Sequence, residues 1–259
     1  MDLAISGRTA LVCASSRGIG RGCAEALGEA GCRVVINGRN EEKLAETAEA
    51  VKARGAAEVI SVVADVASRE GQARLLQAAG EVDILVNNNA GPPLRGFREL
   101  TREDMLAGAT QNMVTPIELI QAVADGMVAR RFGRIVNITS LSVLMPIPGL
   151  DLSSGARAGL TAFLAGVCRE LAPHNVTINN VLPGKIDTDR LRSGFAWASK
   201  QHGISEEEAA DRARAQIPAG RFGTPEEFGR LVAFLSAADA GYITGQNFRL
   251  DGGLFPAAF

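Results

Sequence analysis

The chain has 259 residues, 46% of them hydrophobic, with 27 basic and 29 acidic side chains and a formal net charge of −2. This length suits one large α/β domain or two small ones, and the apolar fraction is enough to bury a sizeable core. The balanced charge, without a basic patch, argues against a nucleic-acid partner. No apolar run is long enough to cross a bilayer, and the first residues lack the pattern of a secretory signal. The four cysteines show no C-x-x-C spacing, which favours buried thiols in a reducing cytoplasm.

Short apolar runs alternate with amphipathic stretches along the chain. The apolar runs predict strands at 9–14, 33–37, 58–64, 82–86, 133–139, 176–182 and 247–250. The amphipathic stretches predict helices at 21–30, 41–54, 69–79, 102–131, 153–172 and 225–237. Strands separated by helices imply parallel βαβ units, so we predict an α/β fold with a doubly wound parallel sheet of about seven strands and helices on both faces. No repeat or linker divides the chain, which favours one domain over residues 1–259.

A glycine-containing turn, Cys13-Ala-Ser-Ser-Arg-Gly-Ile-Gly20, joins the first predicted strand to the first helix. Gly18 and Gly20 let the backbone turn tightly and approach a ligand closely. Backbone N–H groups at the start of the helix, together with the helix dipole, favour phosphate there, and two serines and an arginine add donors. Because glycine is common in this chain, with 29 of 259 residues, an ordinary strand-to-helix turn remains the alternative.

Five more predicted strands are followed at once by polar or glycine-containing segments. Ligands of doubly wound sheets bind beyond the carboxyl ends of the strands. The segments are 37–39, 65–66, 87–91, Ser140 and 183–188. Their recurrence after strand upon strand predicts one extended ligand site along this edge of the sheet.

Several of these segments together resemble the motifs of the short-chain dehydrogenase/reductase family, from one end of the chain to the other. The turn resembles Thr-Gly-x-x-x-Gly-x-Gly, with Cys13-Ala14 in place of Thr-Gly, and an Asn-Ala-Gly motif follows with one extra asparagine. Ser140 stands at the position of the family's catalytic serine, and the segments 183–188 and 244–253 match its later motifs. The nearest general type is the 3-oxoacyl-carrier-protein reductases. This resemblance implies a Rossmann-like fold, oxidoreductase activity and a nicotinamide dinucleotide cofactor.

The end of the second strand indicates which dinucleotide is preferred. A site for NAD needs an acidic residue there to accept a hydrogen bond from the ribose 2′-hydroxyl, but the chain has Asn37, Gly38 and Arg39. Arg39, with Arg17 of the glycine turn, suits a 2′-phosphate. We therefore predict NADP(H) as the cofactor; a solvated loop arginine is the alternative.

The predicted cofactor site extends over five of the six strand ends, and Ser140 at the sixth belongs to the predicted catalytic set. By resemblance, Asp65 and Val66 hold the adenine, and Ile186 and Thr188 the nicotinamide carboxamide. The full set of predicted cofactor-binding residues is Ser15, Ser16, Arg17, Gly18, Ile19, Gly20, Asn37, Arg39, Asp65, Val66, Asn88, Asn89, Ala90, Gly91, Arg157, Pro183, Gly184, Ile186 and Thr188.

The family's catalytic motif is altered in this chain. The family uses a serine, a Tyr-x-x-x-Lys on the following helix and an asparagine on the preceding helix, and here Ser153 and Arg157 occupy the Tyr and Lys positions. The chain's single tyrosine, Tyr242, lies outside the motif. An alkyl hydroxyl holds its proton more tightly than a phenol, and an ordinary guanidinium does not release one at neutral pH. The resemblance therefore implies a catalytic set of Asn112, Ser140, Ser153 and Arg157 with an altered proton donor.

Three sources for the missing proton stay open at this point, namely water, Lys185 and Asp151. We predict an NADP(H)-dependent oxidoreductase acting on a small carbonyl, alcohol or 3-oxoacyl substrate. The alternative is a catalytically inactive NADP(H)-binding sensor or scaffold subunit. Because His174 and His202 lack ligand spacing, we predict no metal site.

Two further expectations concern the C-terminal part of the chain. By position, residues near 189–217 match the family's mobile substrate lid. The apolar tail, 254–259, would be costly to expose. By resemblance it packs at a subunit interface of a homotetramer or homodimer, and packing on its own domain is the alternative.

Overall fold

The computed structural model describes residues 2–257, so that the last two residues of the apolar tail, 258 and 259, lie outside the described part of the chain. In these residues seven strands form one parallel sheet in the order β3-β2-β1-β4-β5-β6-β7. The strands are Thr9–Val12 (β1), Arg33–Gly38 (β2), Glu58–Val63 (β3), Ile84–Asn87 (β4), Gly133–Ile138 (β5), Val176–Pro183 (β6) and Asn247–Leu250 (β7). The predicted doubly wound parallel sheet is therefore confirmed.

Helices cover both faces of the sheet. They are Gly18–Glu29 (α1), Glu41–Ala53 (α2), Arg69–Ala79 (α3), Arg102–Ala109 (α4), Thr115–Arg130 (α5), Asp151–Leu171 (α6), Asp189–His202 (α7), Glu206–Ala215 (α8) and Pro225–Ser236 (α9). One buried apolar cluster joins the sheet to α1, α2 and α9, and a second joins it to α3, α5 and α6. In β1, Ala10 and Val12 enter the first cluster and Leu11 the second, because successive side chains of a strand point to opposite faces. Burial on both faces is what makes these strands continuous apolar runs in the sequence.

Several predicted boundaries were wrong by two or three residues. The first strand ends at Val12 rather than at 14, and α1 begins at Gly18 rather than at 21. Helix α6 begins at Asp151 rather than at 153, so Ser153 lies inside its first turn. Caps and backbone hydrogen bonds set where a helix begins, whereas the apolar periodicity used for prediction becomes visible only after the first turn.

The long helix predicted over 102–131 is divided. A π-helical turn, Thr110–Val114, separates α4 from α5. Pro116, in the first turn of α5, has no N–H group and cannot donate to the carbonyl of Asn112 four residues earlier. The loss of this α-helical hydrogen bond explains the distortion, which lies at the predicted catalytic asparagine, as π-turns frequently do at functional sites.

No helix within 2–257 has the combination of length and hydropathy needed to cross a bilayer. In the same residues no three His, Cys, Asp or Glu side chains are grouped so that they could hold a metal ion.

Candidate active site

The glycine turn packs so closely that its shape depends on Gly20. A Cβ atom at Gly20 would lie 2.5 Å from the carbonyl oxygen of Ala14 and 2.8 Å from Nδ2 of Asn88. Asn88 donates from that Nδ2 to the Ala14 oxygen over 3.0 Å, which joins the loop after β4 to the turn after β1. Ala14 itself has a positive φ of 45°, at the position where the family pattern has glycine.

The start of α1 is suited to an anion. Arg17 is its N-cap but makes no side-chain capping bond, and the first turn contains no acidic residue. Helices α2, α3 and α9, in contrast, are capped by the side chains of Asn40, Ser68 and Thr224. The first N–H groups of α1 therefore lack a side-chain acceptor and fit the phosphates of a dinucleotide.

Two of the predicted cofactor residues, Ser15 in the turn and Asn37 in β2, use their side chains to bond neighbouring backbone groups. Ser15 is fully buried, and its hydroxyl donates to the Val12 oxygen over 2.8 Å and accepts from the Asn37 N–H over 3.0 Å. The Asn37 amide accepts from the Ala14 N–H over 3.1 Å and donates to the Ala64 oxygen over 2.8 Å. These side chains hold the ends of β1, β2 and β3 together, so they shape the turn and have little left to offer a ligand.

Ser16 is held by neighbours from β2 and α2. Its side chain lies against Gly38, where a Cβ would be 2.7 Å from the Cβ of Ser16. The buried Thr47 of α2 donates from Oγ1 to the Ser16 oxygen over 3.0 Å. The role of Thr47 was not predicted, because its only signal was a polar residue on the apolar face of a predicted helix.

The two arginines predicted to share a 2′-phosphate point in different directions. Arg39 is exposed and lies 3.9 Å from the carboxylate of Asp65, beside the buried Val66. Arg17 instead forms an ion pair of 2.9 Å with Asp189, the first residue of α7. The structure thus brings Arg39 to the predicted adenine position and turns Arg17 toward the predicted lid.

The loop after β4 contacts the lid segment as well. Asn89 donates to the Gln111 oxygen over 3.0 Å, in the π-helical turn. The guanidinium of Arg190, on α7, covers Gly91 and donates from Nη2 to the oxygen of Pro92 over 2.7 Å. Ala90, between these contacts, is exposed.

The remaining predicted cofactor residues follow β6. Pro183 ends that strand, and Gly184 donates from its N–H to the Leu250 oxygen of β7. Ile186 is buried, and Thr188 caps α7 while its methyl group lies against Gly18 of α1. The loop after β6 therefore contacts the beginning of α1 at Gly18.

The predicted catalytic residues on α6 are buried and bonded to each other. Nε of Arg157 donates to Oγ of Ser153 over 3.0 Å, and Nη1 donates to the oxygen of Ile138 at the end of β5. Burial, and secondly the charge of Arg190, lower the pKa of Arg157 to about 10. The guanidinium therefore keeps its charge at neutral pH.

Ser140 and Ser153 have the same hydrogen-bonding pattern. Oγ of Ser140 accepts from the Ser142 N–H over 3.1 Å, as Oγ of Ser153 accepts from Arg157. Each hydroxyl oxygen thus accepts one hydrogen bond from the protein, and within residues 2–257 neither O–H group donates to a protein acceptor.

A small cavity has Asn112, Asn87 and Arg157 among the residues that line it. Its volume is about 10 Å³, which is room for one water molecule. The buried Oδ1 atoms of Asn87 and Asn112 have no hydrogen-bond donor in the described residues. The cavity therefore has two acceptors and one cation on its wall.

A ladder of asparagines, missed by sequence analysis, extends from this cavity across the sheet. Asn87 donates to Asn137, Asn137 to Asn180 and Asn180 to Asn247, over 2.9, 3.0 and 2.9 Å. These four residues are paired in register in β4, β5, β6 and β7. The signal in the sequence was the presence of asparagine in or directly after each of four predicted strands.

The two side chains considered as substitute proton donors lie at the edges of the site. Lys185 donates from Nζ to the Ala213 oxygen and to Oε1 of Gln216, over 3.2 and 2.9 Å, which ties it to the end of α8. Partial burial lowers the pKa of Lys185. Asp151 is the exposed first residue of α6. Within residues 2–257, neither the Lys185 side chain nor the Asp151 side chain forms a hydrogen bond with Ser153.

Comparison with known proteins agrees with this geometry. The family model described as "Enoyl-(Acyl carrier protein) reductase" matches residues 13–255. The chain is 34% identical to NADPH-dependent reductase BacG of Bacillus subtilis over 254 residues, which cover 96% of this chain and 98% of that protein. It is also 34% identical to 3-oxoacyl-[acyl-carrier-protein] reductase FabG of Escherichia coli over 250 residues, with coverage of 96% and 98%.

A solved structure extends the comparison to three dimensions. The crystal structure of L-sorbose reductase from Gluconobacter frateurii, complexed with NADPH and L-sorbose, superposes with a TM-score of 0.92 at 27% identity. The match covers 99% of this chain and all of that one. The motifs, the sheet and these relatives agree, and the chain belongs to the short-chain dehydrogenase/reductase family.

Proposed function

We propose that the protein is an NADP(H)-dependent reductase of small carbonyl or 3-oxoacyl compounds. The observation that carries the proposal is the pair of hydroxyls on Ser140 and Ser153, whose oxygens accept from the protein and whose O–H groups donate to no acceptor in the described residues. BacG and FabG, to which the chain is similar over almost its whole length, are named as reductases.

The cofactor we propose is NADP(H). The start of α1, without a side-chain cap or an acidic first turn, would hold the phosphates, and Arg39 beside Asp65 would select the 2′-phosphate. Val66 would lie at the adenine, and Ile186 and Thr188 at the carboxamide. When bound, NADPH supplies the hydride that reduces the carbonyl carbon.

The serines act on the substrate oxygen in this proposal. Both O–H groups donate to the carbonyl oxygen, on which negative charge develops during reduction, and such donors stabilise that charge. Arg157 strengthens the effect, because its hydrogen bond to Ser153 polarises the hydroxyl and its buried positive charge lies close by. With no phenol at position 153, solvent water supplies the proton that converts the alkoxide to the alcohol.

A second candidate is a catalytically inactive NADP(H)-binding sensor or scaffold subunit. Ser153 in place of the family's tyrosine favours it, because losing a positioned general acid costs about 10²–10⁴ in rate. Tight NADPH binding without turnover would support this candidate.

One experiment separates the two candidates. NADPH binding to the purified protein is measured by fluorescence, and NADPH oxidation is measured with a panel of carbonyl substrates. The double variant Ser153→Tyr with Arg157→Lys is assayed in parallel. Turnover by the wild type that the double variant abolishes supports a reductase with its own Ser/Arg chemistry, whereas activity in the double variant alone supports the inactive candidate.

We also propose that the chain is one domain in which α7 and α8, within residues 189–217, form a substrate lid. Trp197 of α7 lies against Gly149, where a Cβ would be 3.3 Å from the Trp197 ring. The lid thus reaches the loop before α6. The four free, buried cysteines agree with the reducing cytoplasm proposed as the protein's location.

Self-association into a homotetramer or homodimer is proposed from exposed apolar side chains. Met105, Leu106 and Phe163 are 52%, 57% and 48% exposed on the neighbouring helices α4 and α6, and Phe234 and Tyr242 are exposed near the end of α9. Such side chains mark interfaces when they cluster. Sedimentation of Phe163→Asp should show a smaller species than the wild type, and equal masses that match a monomer would contradict self-association.

A further inference from the structure

Two guanidiniums at the site lack an acidic partner. Arg157 donates to Ser153 and to the Ile138 oxygen, and Arg190 donates to the Pro92 oxygen; all three acceptors are neutral. Neither arginine belongs to an ion pair formed by residues 2–257, even with a limit of 4.0 Å. The site therefore has two positive charges that no carboxylate of the described chain compensates.

The acidic residues nearest to Arg190 in sequence are already engaged. Asp187 pairs with Arg192 and Asp189 with Arg17, each over 2.9 Å. Arg190 directly follows Asp189 in the chain, yet its guanidinium extends to the loop after β4 instead. Ion pairing with the acidic residues near it in sequence therefore does not explain the position of the Arg190 guanidinium.

A structural arginine in this protein has a different pattern of contacts. Arg134 uses all five of its N–H donors on five oxygen contacts, with Gly133, Ala237, Ala238 and two atoms of Asn175. Arg157 uses two donors and Arg190 one. Because a guanidinium has five donors, both active-site arginines keep several for a ligand.

The position of Arg190 indicates which ligand that would be. Its guanidinium covers Gly91, and its charge is near enough to contribute to the lowered pKa of Arg157. Trp197 lies seven residues further along α7, on the same face of the helix, and contacts Gly149. The face of the lid toward the site thus combines one cation with one large apolar ring.

We propose that the substrate carries a carboxylate, which Arg190 binds while Ser140 and Ser153 hold the carbonyl. The substrate class is an oxo acid whose apolar part lies against Trp197. This inference rests on the proposed function and specifies its substrate. The competing interpretation is that Arg190 binds the phosphates of the cofactor, and the experiment below separates the two.

The test compares oxo acids with their neutral amides. Pyruvate, 2-oxohexanoate and 2-oxo-4-phenylbutanoate, each with the corresponding 2-oxo amide, are titrated into protein loaded with NADP⁺ by calorimetry. The variants are Arg190→Met and the matched control Arg192→Met, which removes a paired arginine from the same helix. NADPH affinity is measured for every variant, so that cofactor and substrate effects are read separately.

For at least one acid–amide pair, the wild type and Arg192→Met should bind the acid about tenfold or more tightly than the amide. A charge-assisted hydrogen bond usually changes affinity by about this factor. Arg190→Met should lose this preference and keep its NADPH affinity. The inference is overturned if the wild type binds no acid or shows no preference in any pair. It is also overturned if Arg190→Met weakens NADPH binding and leaves the preference intact. Because binding needs no turnover, a preference that depends on Arg190 supports the carboxylate site even where the reductase assay fails.

Discussion

Nε of Arg157 donates to Oγ of Ser153 over 3.0 Å, one helical turn away on α6. This spacing of four residues is the one at which side chains meet on a helix face. In the function proposed above, this pair takes the place of the family's tyrosine and lysine, and a hydroxyl replaces an acidic phenol. We therefore expect the pair to stabilise charge at the substrate oxygen rather than to donate a proton.

The first prediction concerns Ser153. Replacement by alanine removes one donor to the substrate oxygen and should lower kcat/KM about 10²–10³-fold, with NADPH affinity unchanged. The neighbouring Ser154 donates to the Leu150 oxygen, so Ser154→Ala is the matched control and should keep its activity. Steady-state kinetics and an NADPH titration measure both effects. Equal kinetics for the two variants would rule out the proposed role of Ser153.

The second prediction concerns pH. Serine does not titrate in the accessible range, so kcat should be nearly constant between about pH 6 and pH 9. It should fall as the pH rises through about 10, the lowered pKa of Arg157, because deprotonation removes the positive charge beside the developing alkoxide. A pH–rate profile with saturating NADPH measures this. A clear inflection below pH 9 would instead indicate a titrating proton donor such as Lys185, whose pKa is lowered by burial.

The third prediction concerns cofactor choice. Arg39→Ala should weaken NADPH binding about tenfold or more and leave NADH binding unchanged, because only the 2′-phosphate needs the guanidinium. Arg69, an exposed arginine on α3 that lies 3.7 Å from Glu118, supplies the control variant Arg69→Ala. Fluorescence titrations with NADPH and with NADH measure the two affinities for each variant. A parallel loss of NADH and NADPH binding would assign Arg39 a structural role.

The fourth prediction compares two buried arginines. Arg134→Met leaves the oxygens of Ala237, Ala238 and Asn175 without their donors and should destabilise the fold by about 3–5 kcal/mol. Arg157→Met removes a buried charge that makes only two hydrogen bonds, so the free energy of unfolding should change by no more than about 2 kcal/mol, in either direction. The same variant should lose most of the activity. Urea unfolding at one fixed protein concentration and kinetics measure the two properties, and equal destabilisation by both variants would contradict the distinction.

Much of the fold followed from local patterns. The alternation of apolar runs and amphipathic stretches predicted the strands to within a few residues, because burial on both faces of a parallel sheet leaves that pattern in the chain. Boundaries near α1 and α6 were less accurate, since Gly18 and Asp151 lie outside the apolar periodicity. The division at Thr110–Val114 was missed, although Pro116 was its signal.

Some residues of the candidate site could be predicted from the sequence, and the roles of others could not. Ser153 and Arg157 were located by counting positions in a motif, and their contact follows from helical spacing alone. The inward roles of Ser15 and Asn37 could not be predicted, because they depend on which strand ends meet. Likewise, the pairing of Arg17 with Asp189 rather than with the same ligand as Arg39 depends on where α7 lies.

By itself the sequence determined the order of strands and helices and the close turn before α1, and it is the basis for the proposal that Ser153 and Arg157 replace tyrosine and lysine. These features depend on residues that are near one another in the chain. Only the tertiary structure decided that Asn87, Asn137, Asn180 and Asn247 form one ladder, and that Arg190 of α7 reaches the loop after β4. The physical reason is that strand register and helix packing, which no local pattern specifies, set the contacts between residues far apart in the chain.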